Sequence, residues 1–180
     1  MIIRKYLEKD YASVAAICKK TAKKGYQTNV ACWLFLDYYL ESEPEHAFVA
    51  EVDGKVIGYG VCSLNDKLYF KEMKEKWIPK IASYAIYLGL FSRLSLWFNL
   101  YITKTYQCSF HMNISKDYQG KGIGKKLLDA MILHIRQYQK NFLYCITENK
   151  ETMGYGFYRH YGFRLVKSFM GAKVLVYKIN

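Results

Sequence analysis

The residues with the clearest capacity for chemistry are a group of closely spaced glycines. Gly120, Gly122 and Gly124 follow an apolar segment, Phe110 to Ile114, and precede a run of apolar residues at helical spacing. This order predicts a strand, a tight turn and a helix. Glycine lets the backbone approach a bulky ligand, and the first turn of a helix offers unpaired N–H groups and the positive end of the helix dipole. The segment is therefore predicted to bind an anion, most commonly a phosphate.

The same segment carries positive charge from Lys121, Lys125 and Lys126. Either Lys121 or Lys125 is a candidate to reach a bound phosphate, and the alternative for each is a solvated cationic end of the helix. Neither the dinucleotide fingerprint G-x-G-x-x-G nor the P-loop G-x-x-x-x-G-K-[ST] occurs in the chain. The anion is therefore not expected to be held in either of those two ways.

The overall composition limits the partners. The 180 residues suit one domain, 1–180, and the formal net charge of +12 favours an anionic ligand. Nucleic acid, an anionic membrane and a polyphosphate cofactor would each satisfy that charge. The basic residues are scattered except for Lys19-Lys20 and Lys23-Lys24, whereas nucleic-acid proteins more often carry a long basic tract with interleaved aromatic residues. Nucleic acid is therefore not expected as the main ligand.

The cysteines and histidines indicate neither a disulfide framework nor a metal site. Five cysteines, an odd number without a C-x-x-C pair, stand in apolar surroundings and are predicted to be buried thiols in a reducing compartment. The four histidines show no metal-ligand spacing with them. The first residues, Met1 to Tyr6, lack the apolar core of a signal peptide, so we expect a cytoplasmic protein.

The first half of the chain predicts a strand, two helices and a hairpin. Asp10 is a candidate cap of the first helix, and Gly25 is its expected stop. Asp53-Gly54 between two β-rich runs is a strong hairpin signal. The predicted elements are a strand at Ile2–Tyr6, a helix after Asp10, a helix at Val30–Leu40 and strands at Ala47–Val52 and Val56–Leu64.

The segment from Lys67 to Thr105 is predicted to be a helical insert. Its part from Ile81 to Ile102 is apolar enough to suggest a membrane span, but Arg93 near the middle would be costly in lipid. Polar residues at positions 92, 95 and 99 share one helical face. We expect an amphipathic segment that packs on the domain or lines its cleft, and a face for a membrane surface or a partner is the alternative.

The second half of the chain predicts alternating strands and helices. They are Tyr106–Ile114, Lys126–Gln139, Asn141–Thr147, Gly156–Tyr161, Phe163–Ser168 and Lys173–Ile179, of which the second and fourth are helices. The last two strands alternate like an antiparallel pair. The whole order predicts an α+β domain with a mixed, mostly antiparallel sheet and one strand–turn–helix unit at its centre.

Two ordered motifs resemble those of the GCN5-related N-acetyltransferase (GNAT) family. Gln119-x-x-Gly122-x-Gly124 resembles the acyl-CoA-binding signature of that family, [QR]-x-x-G-x-[GA]. Downstream, Asn149 is followed by Phe-Tyr-Arg-His-Tyr-Gly-Phe at 157–163, which is similar to the family's N…(F/L)Y-x-x-x-GF segment. Asn149 stands farther from this segment than in the family's pattern. The resemblance covers nearly the whole chain.

The resemblance implies a GNAT fold with splayed central strands and helices on both faces of the sheet. No metal is expected, because the cysteines and histidines lack ligand spacing. Acetyl-CoA, as co-substrate, is expected in the gap between Cys108–Ile114 and Leu143–Thr147, with its amide-bearing arm paired to the backbone and its pyrophosphate on the glycine turn. Asn149 could instead cap the following turn. The residues expected to bind acetyl-CoA are Met112, Asn113, Ile114, Gln119, Gly120, Lys121, Gly122, Ile123, Gly124, Lys125, Asn149 and Tyr158.

The resemblance also implies direct attack of a neutral amine on the thioester. A backbone N–H near Ile114 is expected to polarise the carbonyl. Tyr158 is expected to protonate the departing thiolate as general acid, since a phenol with an ordinary pKa of about 10 keeps its proton at neutral pH; the alternative is a core tyrosine. His111 is a candidate base, with a structural histidine or proton loss to water as alternatives. Glu72 and Glu148 are weaker candidates.

The expected activity is transfer of an acetyl group to the primary amine of a small molecule or a peptide. A non-catalytic acyl-CoA-binding regulatory domain of the same fold is the alternative. The acceptor pocket is expected from Val30–Leu40 and Lys71–Ile102, whose aromatic and apolar residues favour an amine on an apolar body over a polyamine or a histone tail. Contact with a membrane is not expected, and a homodimer is compatible with these features.

Overall fold

A mixed seven-stranded sheet forms the centre of the molecule. The computed structural model describes residues 1–103, 105–106, 108–147, 153–169 and 171–179, without the side chains of 99–103 and 169. Within these ranges the strands are β1 (Ile2–Lys5), β2 (Ala47–Val52), β3 (Lys55–Ser63), β4 (Ser109–Ile114), β5 (Phe142–Thr147), β6 (Arg164–Phe169) and β7 (Ala172–Lys178). They lie in the order β1-β2-β3-β4-β5-β7-β6, and only β4 and β5 are parallel neighbours. This arrangement confirms the predicted α+β fold.

Helices cover both faces of the sheet. They are α1 (Tyr11–Thr21), α2 (Asn29–Phe35), α3 (Asp37–Ser42), α4 (Asp66–Glu72), α5 (Ile78–Tyr84), α6 (Ile86–Thr103), α7 (Ile123–Arg136) and α8 (Met153–Tyr161). One hydrophobic core lies between the sheet and the helices that precede β4, and a second lies between the sheet and α7 with α8. Neighbouring strand residues enter opposite cores, as Phe48 and Val49 do, because side chains alternate along a strand.

Local turn chemistry accounts for the hairpin between β2 and β3. Asp53 and Gly54 have φ values of +49° and +74°. A tight two-residue turn that matches the twist of its strands needs a left-handed backbone at both central positions. The Asp-Gly signal in the sequence therefore predicted this hairpin correctly.

α1 starts directly after Asp10, as predicted, but its end and the role of the Asp10 side chain differ from the prediction. The helix ends at Thr21, before Gly25 is reached. Asp10 does not cap it through its side chain; the carboxylate instead accepts a hydrogen bond from the Leu7 N–H at 2.9 Å and pairs with Arg4 at 2.6 Å. The ion pair to β1 is a tertiary contact that local capping rules do not contain.

The predicted helix at Val30–Leu40 is two short helices, α2 and α3. Leu36 separates them with φ −137° and ψ −57°. No glycine or proline marks this break in the sequence. Leu36, Tyr38 and Tyr39 are all buried in the core, so we attribute the break to packing rather than to local propensity.

The predicted helical insert is confirmed as α4, a π-helical stretch at Met73–Trp77, α5 and α6. Pro79 stands in the first turn of α5, directly after the π-helical stretch. Ala85 is extended, with φ −154° and ψ 107°, and divides the apolar run into two helices. Leu88 and Leu96 bury one side of α6 on the domain. None of the helices in the described ranges is long and apolar enough to cross a bilayer.

Gly89 sets the contact between α5 and α6. A Cβ at this position would lie 2.8 Å from the Cα of Ala82, so a methyl group would force the helices apart. Gly89→Ala is expected to lower the free energy of unfolding by about 1–3 kcal/mol in urea titrations. Gly156→Ala is the control, because a Cβ there meets no atom within 4 Å and alanine favours a helix. Equal effects of the two variants would contradict this packing.

Candidate active site

The strands β4 and β5 diverge after one point of contact. β4 pairs with β3 along its whole length. With β5 it shares a single residue pair, Ser109 with Tyr144, beside a hydrogen bond from the Tyr144 N–H to the Cys108 carbonyl at 2.8 Å. Beyond this pair a gap opens in the sheet towards the carboxyl ends of both strands. The splayed central strands expected for the fold are therefore present.

The pairing with β3 decides which backbone groups of β4 face the gap. The Ser115 N–H donates to the Ile57 carbonyl at 2.9 Å, so the backbone of residue 115 points towards β3. Backbone groups alternate in direction along a strand, which turns those of Met112 and Ile114 towards the gap and that of Asn113 towards β3. The expected backbone contact of Asn113 with a ligand in the gap is not supported by this pairing, because its N–H and C=O face the neighbouring strand.

Tyr158 of α8 lies beneath the gap. Its ring centroid is 5.4 Å from that of Phe110 on β4 and 5.4 Å from that of Phe163, and the side chain is buried. Burial raises the pKa of Tyr158 well above its ordinary value, and Cys145 on β5 raises it further. The phenol therefore lies close to both strands and keeps its proton throughout the neutral range.

The glycine loop leads from the open end of β4 into α7. Gly120 and Gly122 both have φ of +74°, and a Cβ at either position would meet no atom within 4 Å. Gln119 ties the loop to β4, because its Nε2 donates to the Ile114 carbonyl at 2.8 Å. The first N–H groups of α7, which have no acceptor within the helix, consequently stand beside the gap and next to the open space at Gly120 and Gly122, as an anion cradle requires.

Gly124 brings α7 close to α8 and β4. A Cβ on it would lie 3.4 Å from the Phe157 ring and 3.7 Å from the Met112 methyl group. Lys121 holds its ammonium group 5.2 Å from the centre of the Tyr118 ring. The first turn of α7 therefore joins the loop, the central strand and the helix of Tyr158 into one site.

A groove of about 420 Å³ lies between α7 and α8, lined by Lys125, Asp129, Phe157, His160, Tyr161 and Tyr177. Lys125 pairs with Asp129 at 2.8 Å, and the Tyr161 hydroxyl donates to the same carboxylate at 2.6 Å. Asp129 thereby holds Lys125 on the wall of the groove. Lys121 has no such carboxylate among the contacts of the described residues, which makes it the better placed of the two lysines to reach a phosphate.

The other face of β4 carries His111 and Asn113. The His111 ring stacks on Phe35 of α2, with centroids 5.1 Å apart and planes 16° apart. The Asn113 side-chain nitrogen lies 2.9 Å from His111 Nε2 and donates to the Tyr59 hydroxyl at 3.0 Å. Burial lowers the pKa of His111 to about 4. The imidazole is therefore neutral at pH 7, and its Nε2 already accepts a hydrogen bond.

Three aromatic residues also lie on this face: Phe35 and Tyr39, within the Val30–Leu40 segment expected to line the acceptor pocket, and Tyr59, which was not predicted as a site residue. The Tyr39 hydroxyl lies 3.5 Å from the Ser109 hydroxyl at the point where the gap begins. The aromatic content of Val30–Leu40 indicated a pocket. The contact of that segment with β4 depends on the break between α2 and α3, which local spacing does not reveal.

Carboxylates on or beside α3 and α4 are used within the protein, and Asp37 at the start of α3 accepts a hydrogen bond from the Tyr11 hydroxyl at 3.1 Å. Glu43 accepts a hydrogen bond from the Tyr38 hydroxyl at 2.7 Å, and Glu72 accepts one from the Ser42 hydroxyl at 2.8 Å. Glu72, a weaker candidate base from the sequence, is thus bound to α3. This leaves a face that is mainly aromatic, with uncharged polar groups at its centre.

The remaining sequence predictions concern thiols, metals and the segment after β5. All five cysteines are free and buried, as predicted. In the part of the chain that the structure describes, no group of three or more His, Cys, Asp or Glu is placed to hold a metal ion. Glu148 and Asn149, a candidate base and a candidate cofactor contact, fall outside the described residues.

Histidines with lowered pKa values predict a loss of stability in acid: the half-buried His111 and His134, and the buried His46. Burial lowers the pKa of His111 and of His134 to about 4, whereas in the unfolded chain each takes up a proton near its ordinary pKa of about 6.5. Between those two values the unfolded state binds more protons than the native state. The free energy of unfolding is therefore expected to fall as the pH drops from about 6.5 to about 4, and to be fully regained above that window.

His111→Gln tests this assignment, because glutamine can accept the hydrogen bond from Asn113 but does not titrate. Between pH 7 and pH 4.5 the free energy of unfolding of the variant is expected to fall by about 2 kcal/mol less than that of the native protein. Urea titrations at the two pH values measure both changes. A variant as acid-sensitive as the native protein would show that His111 is not the titrating group.

Comparisons with known proteins agree with this geometry. The model of the acetyltransferase (GNAT) family matches residues 16–163. No curated protein matches the sequence significantly. Among solved structures, SsHAT is similar with a TM-score of 0.85 at 18% identity, covering 99% of this chain and 98% of that chain.

Two further solved structures are similar over nearly their whole length. The PaiA N-acetyltransferase from Thermoplasma acidophilum, in complex with coenzyme A, has a TM-score of 0.65 at 12% identity and covers 98% of each chain. The yncA protein from Salmonella typhimurium, with its cofactor acetyl-CoA, has a TM-score of 0.61 at 16% identity and covers 100% of this chain and 94% of that chain. These likenesses concern the fold, and the family match spans most of the sequence. The chain belongs to the acetyltransferase (GNAT) family.

Proposed function

We propose that this domain transfers the acetyl group of acetyl-CoA to the primary amine of a small molecule or a peptide by direct attack of the amine. The observation that carries the proposal is the meeting of three features at one place. These are the gap between β4 and β5, the open glycine loop at its end, and the buried, protonated Tyr158 beneath it. The coenzyme A and acetyl-CoA in the two similar structures support the same ligand class.

The residues present fit acetyl-CoA. The pyrophosphate would lie on the N–H groups of Gly120 to Lys125, where the missing Cβ of Gly122 leaves space. The amides of the pantetheine arm would pair with the backbone of Met112, which faces the gap, while the Ile114 carbonyl is held by Gln119 and its N–H faces the acetyl end. Lys121 would add a cation at the phosphates. Acetyl-CoA supplies the thioester that the amine attacks.

Two groups of the protein would assist the chemistry. The Ile114 N–H faces the gap and would polarise the acetyl carbonyl as an oxyanion donor. Tyr158 would hold a proton on its phenol oxygen for the departing sulfur, and its raised pKa ensures that this proton is present at neutral pH. Neither role needs a charged side chain in the gap.

His111 is better suited to position the acceptor than to deprotonate it. A base with a pKa of about 4 competes poorly for the proton of an alkylammonium group, and its Nε2 is engaged by Asn113. We therefore infer that the amine loses its proton to water. The rise of kcat/KM with pH is then expected to follow the pKa of the amine used. A rise at one fixed pH for two amines of different pKa would instead indicate a base on the enzyme.

The acceptor face favours an amine attached to an apolar or aromatic body. Phe35, Tyr39 and Tyr59 lie on this face. The carboxylates of Asp37, Glu43 and Glu72 accept hydrogen bonds within the protein. A polyamine needs free carboxylates to balance its several charges. We expect arylalkylamines to be acetylated with a higher kcat/KM than spermidine.

Thiol release from acetyl-CoA with a panel of primary amines tests the proposed function. The panel should contain arylalkylamines, amino acids, short peptides and polyamines, with product masses checked for one added acetyl group. Binding of acetyl-CoA without turnover of any amine would favour the regulatory domain instead. Faster turnover of polyamines than of arylalkylamines would overturn the acceptor class but keep the reaction.

A further inference from the structure

The outward side of α6 is apolar although the helix lies on the surface. The exposed side chains, which we call the α6 apolar face, are Tyr84, Ile86, Tyr87, Leu90, Phe91, Leu94 and Trp97. Ile86 and Trp97 are 73% and 68% exposed, whereas Ser92 is 6% exposed. The Ser92 hydroxyl turns inward and donates to the Leu88 carbonyl at 2.7 Å. A surface helix normally turns a polar side outward, whereas α6 is mainly apolar on its exposed side as well as on its buried side.

The α6 apolar face is too large and continuous to be a chance group of exposed apolar residues. Its members recur at intervals of about one turn from Ile86 to Trp97, so they form one continuous stripe beside Tyr84. The largest apolar patch of a typical monomer covers roughly 300–600 Å² and is often functional. A stripe of seven large side chains, each at least 48% exposed, is therefore expected to be covered by a partner.

The stretches that supply and flank the face carry charges of one sign, whereas Met73–Trp77, which also contacts α6, carries Glu75 between Lys74 and Lys76. Residues 11–36 and 78–103 contain no aspartate or glutamate. Their charged residues are Lys19, Lys20, Lys23, Lys24, Lys80 and Arg93, which supply half of the net charge of +12. Tyr26 packs on the cluster of Val30, Ile81 and Leu88, and this contact brings the exposed Lys23 and Lys24 close to the first turns of α6.

We propose that the α6 apolar face docks on the surface of an anionic lipid bilayer. The helix would lie parallel to the membrane, with its leucine, isoleucine and phenylalanine side chains in the acyl–headgroup boundary. Trp97 and the two tyrosines have the amphipathic rings that suit this boundary. The lysines and Arg93 would meet the lipid phosphates. A second copy of the chain would instead place its own lysines and Arg93 against these cations, because these stretches contain no carboxylate.

Sedimentation of the full chain with vesicles tests this proposal. Vesicles of phosphatidylcholine with roughly one third phosphatidylglycerol are expected to bind the protein at least tenfold more strongly than phosphatidylcholine alone, and added salt should weaken this preference. Trp97 fluorescence should shift to the blue on binding. In Trp97→Phe that shift should disappear while sedimentation persists.

Surface variants separate the apolar contribution to vesicle binding from the electrostatic one. Leu90→Asn with Phe91→Asn is expected to weaken vesicle binding at least tenfold, because the side chains that enter the lipid are lost. The control is Leu133→Asn on α7, whose side chain is 64% exposed outside this face and should not matter. Lys23→Gln with Lys24→Gln is expected to weaken binding to anionic vesicles about tenfold and to leave neutral vesicles unaffected.

Three results would overturn the proposal. The first is no sedimentation with anionic vesicles. The second is equal binding to anionic and neutral vesicles. The third is a dimer in sedimentation-velocity runs that Leu90→Asn with Phe91→Asn dissociates, since that would identify a second copy as the occupant. None of these readouts uses acetyl transfer, so they are independent of the proposed function.

Discussion

Replacing Tyr158 with phenylalanine is expected to lower kcat about 100-fold or more while KM for acetyl-CoA stays nearly unchanged. The aromatic ring, which packs against Phe110 and Phe163, remains in the variant. Only the hydroxyl group and its proton are lost. A positioned general acid typically contributes about 10²–10⁴ in rate. Initial rates of thiol release at several acetyl-CoA concentrations measure both constants.

Tyr161→Phe is the matched control for this experiment. Tyr161 lies on the same helix, but its hydroxyl donates to Asp129 at the surface rather than reaching the gap. Its kcat should remain close to that of the native enzyme. Because the pKa of Tyr158 is raised well above its ordinary value, the kcat of the native enzyme should not fall through ionisation of the Tyr158 phenol up to about pH 10. A native kcat for Tyr158→Phe would show that Tyr158 contributes packing and not a catalytic proton.

Gly122→Ala is expected to weaken acetyl-CoA binding at least tenfold and to leave the fold intact. Gly122 has φ of +74°, and its carbonyl accepts the first bond of α7 from the Lys126 N–H at 3.3 Å. Alanine costs about 1–2 kcal/mol in this conformation. Its methyl group would also fill the space where the pyrophosphate approaches the N–H groups, and each such charged hydrogen bond contributes about 1.5–3 kcal/mol. Calorimetry with coenzyme A measures the dissociation constant.

Gly54→Ala separates backbone strain from ligand exclusion. Gly54 has the same φ of +74°, and a Cβ on it likewise meets no atom within 4 Å, but it lies in the β2–β3 hairpin. Both variants should therefore lose similar stability in thermal unfolding. Only Gly122→Ala should change the affinity for coenzyme A. If Gly122→Ala were destabilised like Gly54→Ala but bound coenzyme A normally, the loop would not hold the pyrophosphate.

Much of the fold could be predicted because its signals are local. Asp53-Gly54 specifies a hairpin through the positive φ of both residues, and the glycines before α7 specify a turn that leads into a helix. Apolar periodicity located the seven strands of the sheet and both helices after β4 to within a few residues. The break at Leu36 was not predictable, because it depends on how three neighbouring side chains fill the core.

The candidate site likewise has parts that local sequence predicts and parts that depend on tertiary contacts. The spacing of Gln119, Gly122 and Gly124 is enough to predict an anion cradle, because the turn and the helix start depend on adjacent residues. That spacing does not reveal that Gln119 holds the loop to the Ile114 carbonyl, since the bond requires the end of β4 to lie within reach. The pairing of β4 with β3 likewise decided that the backbone of Asn113 faces a strand and not the gap.

By itself, the sequence determined the order of the elements, the shape of the turns and the residues that could bind phosphate, because these depend on residues within a few positions of each other. Only the tertiary structure decided that β4 and β5 part beyond Ser109, that Tyr158 lies beneath them and that His111 stacks on Phe35. It also decided which apolar side chains of α6 stay exposed. Each of these features depends on which distant segments become neighbours, and the periodicity of one segment contains no information about its partner.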